Sequence, residues 1–171
     1  MDTAQGVGEY IHSDGAKYSG DWVADKQQGN GVETWADGAY YKGQYWDSMK
    51  HGQGQFIWSD GSTYTGEFNC NRVEGRGTYK WSDGRKYTGD WHNNQMHGKG
   101  KFIWADCRVY EGEYVNDKKQ GFGKFIWPDG KIYEGEWYNG KQHGIGSYIS
   151  PRGVGKKGQW VDGKRIKYIE E

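Results

Sequence analysis

The chain is 171 residues long, with 33% hydrophobic and 17% aromatic side chains, and its 23 basic residues balance its 23 acidic ones. That balance excludes a general electrostatic pull toward DNA, RNA or anionic lipid, and two cysteines, Cys70 and Cys107, are too few for a disulfide framework. A mean hydropathy of −1.13 is that of a chain short of core-forming material, yet 10 Trp and 14 Tyr exclude ordinary disorder. The apolar matter is gathered into a few large flat rings, which suits a thin structure whose aromatics cover a sheet. The opening MDTAQGVGEY lacks a basic region followed by an apolar run, and no apolar stretch approaches ~18 residues. Neither a signal peptide nor a transmembrane helix is expected, and the setting is read as cytoplasmic and reducing.

From the N-terminus, a GxG element begins at Gly6, and a YxGx(aromatic) element follows at Tyr18-Gly20-Trp22. The pair returns at Gly29 with Tyr41-Gly43-Tyr45, at Gly52 with Tyr64-Gly66-Phe68, and at Gly75 with Tyr87-Gly89-Trp91. It returns again at Gly98 with Tyr110-Gly112-Tyr114, and at Gly121 with Tyr133-Gly135-Trp137. A seventh copy starts at Gly144 and has Lys156, Gly158 and Trp160. Each step is 23 residues, with no insertion or deletion, and every Trp except Trp46 falls on a repeat position.

Each unit reads as a β-hairpin. In the third, Gly54–Trp58 is the first strand and Tyr64–Phe68 the second. The turn between them carries Asp60-Gly61, a strong hairpin signal. A five-residue turn over Ser59–Thr63 pairs Trp58 with Tyr64 and puts the aromatics of both strands on one face. That register also sets Lys101 opposite Glu113 and Lys124 opposite Glu136. Asn69–Glu74 reads as a looser connection to the next unit. The glycines have a physical role in a one-layer sheet: a ring can lie flat on it only where the neighbouring position has no side chain. The fold class is therefore all-β, an elongated, twisted, single-layer antiparallel sheet of about seven stacked hairpins. At ~4.8 Å per strand, fourteen strands extend roughly 65 Å, and each hairpin touches only its neighbours.

These residues resemble MORN repeats (membrane occupation and recognition nexus). The match runs from about Gly6 to Lys164, and is plainest at Tyr133-Glu134-Gly135-Glu136-Trp137 followed by Gln142-His143-Gly144-Ile145-Gly146. The chain departs from the pattern where Cys107 replaces a turn glycine, Arg152-Gly153 replaces Asp-Gly, and Lys156 replaces tyrosine. The resemblance implies a single repeat domain over residues 1–171, with a C-terminal cap over 161–171 and no appended enzyme. It also implies a ribbon used for protein–protein or protein–lipid contact.

Several residue patterns invite chemical readings that spacing argues against. His51, His97 and His143 each precede a GxG, but two hairpins separate successive members by roughly 19 Å, whereas ligands of one zinc sit ~2 Å from it. Ser13, Ser59 and Ser82 belong to repeated Ser-Asp-Gly turns rather than to a catalytic convergence. The GxG elements lack the helix that a phosphate-binding fingerprint requires. Cys70 and Cys107 fall on opposite edges of the ribbon, too far apart to bond. No enzyme activity, metal or cofactor is expected.

The aromatic face is the candidate binding surface, since one layer does not cover both sides of its rings. Tyr41, Trp58, Tyr64, Trp81, Tyr87, Trp91, Trp104 and Tyr110 are expected to form a groove for an extended peptide or a helix. Trp46 is expected to tuck under its loop. Lys99, Lys101 and Lys124 are interleaved with acids. The one concentrated basic stretch, Lys156, Lys157, Lys164, Arg165 and Lys167, is the candidate for anionic phospholipids or phosphoinositides. The reading is a non-catalytic scaffold that holds other proteins of a larger cytoskeletal or ciliary assembly, without nucleic acid. The alternative is a peripheral membrane module. Unpaired edge strands invite edge-to-edge self-association.

Overall fold

The computed structural model describes residues 3–169, all of whose regular elements are strands. The chain forms two compact units, Met1–Ser82 and Asp83–Glu171. The first holds β1 (Gly6–Ile11), β2 (Lys17–Val23), β3 (Lys26–Thr34), β4 (Tyr40–Trp46), β5 (Met49–Ile57), β6 (Thr63–Asn69) and β7 (Arg72–Lys80). The second holds β8 (Lys86–His92), β9 (Gln95–Ile103), β10 (Val109–Val115), β11 (Lys118–Ile126), β12 (Ile132–Tyr138), β13 (Lys141–Ile149), β14 (Gly155–Val161) and β15 (Lys164–Tyr168). Within each unit, every strand pairs antiparallel with its neighbour in sequence, as the hairpin repeat requires.

The hairpin register differs by two residues from the one expected. Tyr64 faces Phe56 rather than Trp58, and Ile57 faces Thr63. The chain turns earlier because Trp58 opens the loop. Its N–H donates to the Ser62 carbonyl at 2.9 Å, and the Gly61 N–H donates back to the Trp58 carbonyl at 3.0 Å. The Asp60 carboxylate accepts the Ser62 N–H at 2.8 Å and closes the turn. A slip of two keeps side-chain parity, so the aromatics still share a face. It does change the charge pairing: Lys101 lies opposite Glu111 and Lys124 opposite Glu134. In the fifth unit, Cys107 takes the turn glycine's place with φ 69°, and its N–H makes the same bond to the Trp104 carbonyl.

The connections between hairpins are tight rather than loose. Cys70 and Asn71 alone join β6 to β7, both at positive φ (48° and 66°), the conformation that suits a two-residue hairpin. Asn93-Asn94, Asn116-Asp117 and Asn139-Gly140 do the same further on. Asp162-Gly163 makes one more such turn and leads into a fifteenth strand, β15, within the span 161–171.

Past each of these turns, one strand carries extra residues. Gly66 pairs with Gly77, but Phe68 pairs with Val73, so Glu67 alone spans Glu74, Gly75 and Arg76. Gly75 has φ 67° there, and the Arg76 N–H that the bulge frees donates to the Glu67 carboxylate. The equivalent side chains do the same elsewhere. Asn30 donates to Asp21 at 2.8 Å, Gln53 to Gln44 at 2.7 Å, Lys99 to Asp90 at 2.9 Å and Ile145 to Glu136 at 3.1 Å. The acid of the YxG(D/E) element is thus a backbone acceptor, which explains why Glu113 and Glu136 are not the partners of Lys101 and Lys124.

The core is the leading tyrosine of each repeat. Tyr18, Tyr41, Tyr64, Tyr87, Tyr110 and Tyr133 are each 0% exposed. Each ring covers a pair of glycines facing one another across two strands, as Tyr41 covers Gly43 and Gly54. Its hydroxyl donates to the carbonyl three residues on, at 2.9 Å from Tyr41 to Gln44 and likewise from Tyr64 to Glu67. The second aromatic of the following repeat packs edge-on against it, with Tyr41–Phe68 centroids 5.3 Å apart at 87° and Tyr110–Trp137 at 5.2 Å and 83°. Such pairs contribute about 0.5–1.5 kcal/mol each beyond their buried area.

Two predictions follow from this core. A methyl at Gly54 would lie 2.7 Å from Tyr41 Cε2, so Gly54→Ala is expected to cost about 1–3 kcal/mol by overpacking. Gly155→Ala meets only ordinary contact at 3.7 Å and should change stability by less than about 0.5 kcal/mol. Thermal melts of both variants test the difference. Burial, and after it nearby carboxylates, pushes the Tyr18 and Tyr133 hydroxyls from 10.0 up to about 12 and raises those of Tyr41, Tyr64 and Tyr110 as well. The folded state therefore holds these protons more tightly than the unfolded chain. Stability is intact below pH 10 and falls as pH climbs through about 12. Tyrosinate absorbance and strand circular dichroism should change together in that window. Ionisation of all 14 tyrosines near pH 10 with the strands intact would contradict the buried tyrosine core.

Candidate protein-binding face

The same spacing that buries the tyrosines leaves a second aromatic row half covered at its turn tryptophans. Its members are the aromatic that pairs with the leading tyrosine and the Trp that opens the turn two residues later. In the first unit the row runs Trp35, Phe56, Trp58, Tyr79 and Trp81, with successive centroids 5.3, 4.5, 5.0 and 4.5 Å apart. In the second it runs Phe102, Trp104, Phe125, Trp127 and Tyr148, at 4.4, 5.4, 4.6 and 6.2 Å. The turn tryptophans Trp35, Trp58, Trp81, Trp104 and Trp127 are half-buried. They lie just past the strand ends, where Trp35, Trp58 and Trp104 each rest against the strand aromatic of the next hairpin.

The eight residues expected to form a groove divide accordingly. Tyr41, Tyr64, Tyr87 and Tyr110 are wholly enclosed and Trp91 is 7% exposed, so these five are core. Trp58, Trp81 and Trp104 present surface. Trp35 and Trp127 belong with them, and the 23-residue step that carries Trp58 back to Trp35 and Trp104 on to Trp127 identifies both. Trp46, expected under its loop, stands 60% exposed and faces Met49 across the Asp47-Ser48 turn.

The first unit also holds a cleft of about 830 Å³, lined by Tyr10, Trp22, Glu33, Tyr45, Lys50 and Asn71 among others. At its centre is an ion pair. Lys50 Nζ lies 3.1 Å from Glu33, whose same oxygen accepts the Tyr45 hydroxyl at 2.9 Å. The ammonium is boxed by Trp35 at 4.8 Å and Tyr41 at 5.2 Å, with Tyr45 and Phe56 both at 5.9 Å. Glu33 occupies the position that Phe56, Tyr79, Phe102 and Phe125 hold in other repeats. The pattern gave no warning of it beyond that break in the aromatic series.

Lys119 takes the position of Lys50 in the second unit. Its Nζ is 5.1 Å from the ring of Trp137, 5.3 Å from Trp104, and 5.5 Å from both Tyr110 and Phe125. Burial, and then the charge of Arg108, lowers its pKa below the usual lysine value. Arg108 itself sits 5.3 Å from the Trp104 ring and is held by Asp106 at 2.7 Å.

The basic residues Lys156, Lys157, Lys164, Arg165 and Lys167 lie exposed on β14 and β15. They do not form one patch. Lys156 and Arg165 flank the Tyr168 ring at 5.2 and 3.9 Å, while Lys157 and Lys167, by strand alternation, point to the other side. Of the histidines, His51 and His97 each enclose an unpartnered Nδ1, and His143 Nδ1 accepts the Asp162 N–H at 3.4 Å. No three potential metal ligands cluster among the described residues. Cys70 and Cys107 are free and exposed, each in a turn.

Comparison with known proteins agrees with this geometry. Curated proteins offer no match. Among solved structures, the TCP domain of Drosophila melanogaster SAS-4 (dCPAP), in complex with a proline-rich motif of Ana2 (dSTIL), superposes with a TM-score of 0.52 at 9% identity. The match covers 90% of each chain, and at that identity the likeness is one of fold. The TCP10 domain of Danio rerio CPAP has a TM-score of 0.41 at 15% identity, over 95% of this chain and 83% of that one. The family model for the MORN repeat matches seven times, at residues 18–40, 41–63, 64–84, 87–106, 110–132, 133–154 and 157–165, and the chain belongs to the MORN-repeat family.

Proposed function

We propose that this protein is a non-catalytic scaffold which holds an extended peptide or a helix of another protein on its aromatic face. The observation that carries the reading is the half-covered row Trp35–Phe56–Trp58–Tyr79–Trp81 and its counterpart in the second unit. Rigid Trp and Tyr rings bury large area at little entropic cost, which is why they dominate binding hot spots. The fold likeness to a SAS-4 domain in complex with a proline-rich motif supports a peptide as the occupant, since proline-rich segments dock on aromatic-lined surfaces. We extend this reading to a structural role in a cytoplasmic, cytoskeleton-associated assembly such as the cilium. The division of the basic residues between two faces of β14 and β15 weighs against the membrane module.

The test is capture of partners from an extract of the native cells by the full chain and by a Trp58→Ala, Trp81→Ala double variant. Both rings are half-exposed, so the variant should keep its strand spectrum. Loss of two hot-spot rings, at about 2 kcal/mol or more each, should remove the captured cytoskeletal proteins. Unchanged capture by the folded variant refutes this face as the binding site. Strong, salt-sensitive sedimentation with phosphatidylserine vesicles, lost on Lys164→Glu with Lys167→Glu, would establish the membrane reading in its place.

A further inference from the structure

The aromatic box around Lys119 lacks the component that its twin possesses. Lys50 and Lys119 lie 69 residues apart, three repeats, and their boxes correspond ring for ring at Trp35 and Trp104, Tyr41 and Tyr110, and Phe56 and Phe125. In the first box, Glu33 neutralises the ammonium. The residue three repeats on from Glu33 is Phe102, which is apolar and buried. Among the described residues, no carboxylate takes Glu33's place beside Lys119. The ammonium is not sealed off either. The enclosed polar atoms without partners are His12 Nε2, His51 Nδ1 and His97 Nδ1, and Lys119 Nζ is not one of them. Arg108 adds positive potential over the same Trp104 ring. A half-buried ammonium is costly unless an acceptor meets it, and the four rings offset that cost only in part, so a carboxylate from a bound partner would gain there.

We propose that Lys119 is the anchor point for an acidic side chain of the bound protein segment, an Asp or Glu that meets the ammonium beside the half-buried Trp104 and completes for Lys119 the pair that Glu33 makes for Lys50. This rests on the reading of the aromatic face as a peptide-binding surface and adds its charge specificity. The occupant is a short segment with an acidic residue flanked by proline or aromatic residues that stack on Trp104 and Trp127. The flanking contacts supply area, and the carboxylate sets the register, as one desolvated charge pair does in an otherwise apolar groove.

The experiment is selection of displayed random twelve-residue peptides on the full chain, followed by affinity measurement. Lys119→Met is the first variant, because Met96 already occupies the equivalent position in the same unit. Phe102→Glu is the second, because Glu33 shows that the scaffold accepts an acid there, and it supplies Lys119 with a carboxylate of its own. Wild-type selections should be enriched for Asp or Glu at one position. Changing that residue to Asn or Gln should weaken binding about tenfold in the wild type and leave it unchanged in either variant, so that the double-mutant cycle isolates the pair. Peptides that bind the aromatic face with no acidic preference would overturn the Lys119 assignment and leave the scaffold reading standing. A folded chain that selects no peptide would overturn both. Phosphatidylserine vesicles retained by the wild type and lost by Lys119→Met, with peptides indifferent to acid, would assign the site to lipid instead.

Discussion

The interaction on which everything else depends is a tyrosine ring lying on bare backbone. A one-layer sheet has no opposing layer, so a ring placed on it must find its contacts in the sheet itself. Tyr41 does so by covering Gly43 and Gly54, whose missing side chains leave the room, while its hydroxyl takes up the Gln44 carbonyl. Ring, carbonyl and glycine pair form one unit, and none of the three can be moved alone. The pairing of glycine with glycine follows. Gly31, Gly43, Gly54, Gly66 and Gly77 face one another in turn across the first unit, so a stripe without side chains crosses the strands. Any other register would set a Cβ beneath a ring.

The stripe in turn dictates the bulge and the acid. Strands that alternate a five-residue turn with a two-residue turn do not bring glycine opposite glycine on both sides without extra residues. The chain inserts them after the tight turn, at Glu74-Gly75-Arg76 and its equivalents. The freed N–H needs an acceptor, and the carboxylate or amide next to the stripe provides it. The aspartates of the five-residue turns are similarly occupied, Asp60 with Ser62 and Asp129 with Lys131. Most of the acids that a composition reading would assign to surface charge are therefore engaged with backbone. This is why the count of 23 against 23 says little about which ions or molecules the surface attracts.

The repeat period, the strand class and the need for glycine beside rings were legible in the sequence, because all three depend on local alternation. The register was open to a two-residue error because parity alone permits both choices. A register pairing Trp58 with Tyr64 sets Gly54 against Phe68, whereas the observed one sets it against Gly66; requiring glycine to face glycine would have separated the two. The tight turns were hidden behind Cys70-Asn71 and Ala24-Asp25, which do not read as turn dipeptides. Asn139-Gly140 and Asp162-Gly163 do, and the 23-residue step carries their signal back to the others. For the candidate face, the sharing of one side of the sheet by the aromatics was legible, and the depth of each ring was not. Nothing in a strand pattern distinguishes a ring lying flat on glycines, such as Tyr110, from one standing at the mouth of a turn, such as Trp104; that depends on where the chain reverses.

In a structure built from copies, each residue can be judged against its own equivalents, and that comparison locates function better than residue type does. The position of Lys50 and Lys119 is filled by Gln27, Val73, Met96, Gln142 and Arg165 elsewhere, so packing there does not depend on a lysine. A lysine at such a place brings a desolvation cost that the scaffold does not need to bear. The first unit offsets it internally, by exchanging a ring for Glu33 and holding the acid with the Tyr45 hydroxyl. The second unit keeps its ring, Phe102, and offsets the cost only in part, through the faces of four aromatics. Two copies of one arrangement, one neutralised and one not, differ in what each can still attract. Among the described residues, the half-covered rings account for affinity of a general kind, and Lys119 is where that surface acquires a preference for charge.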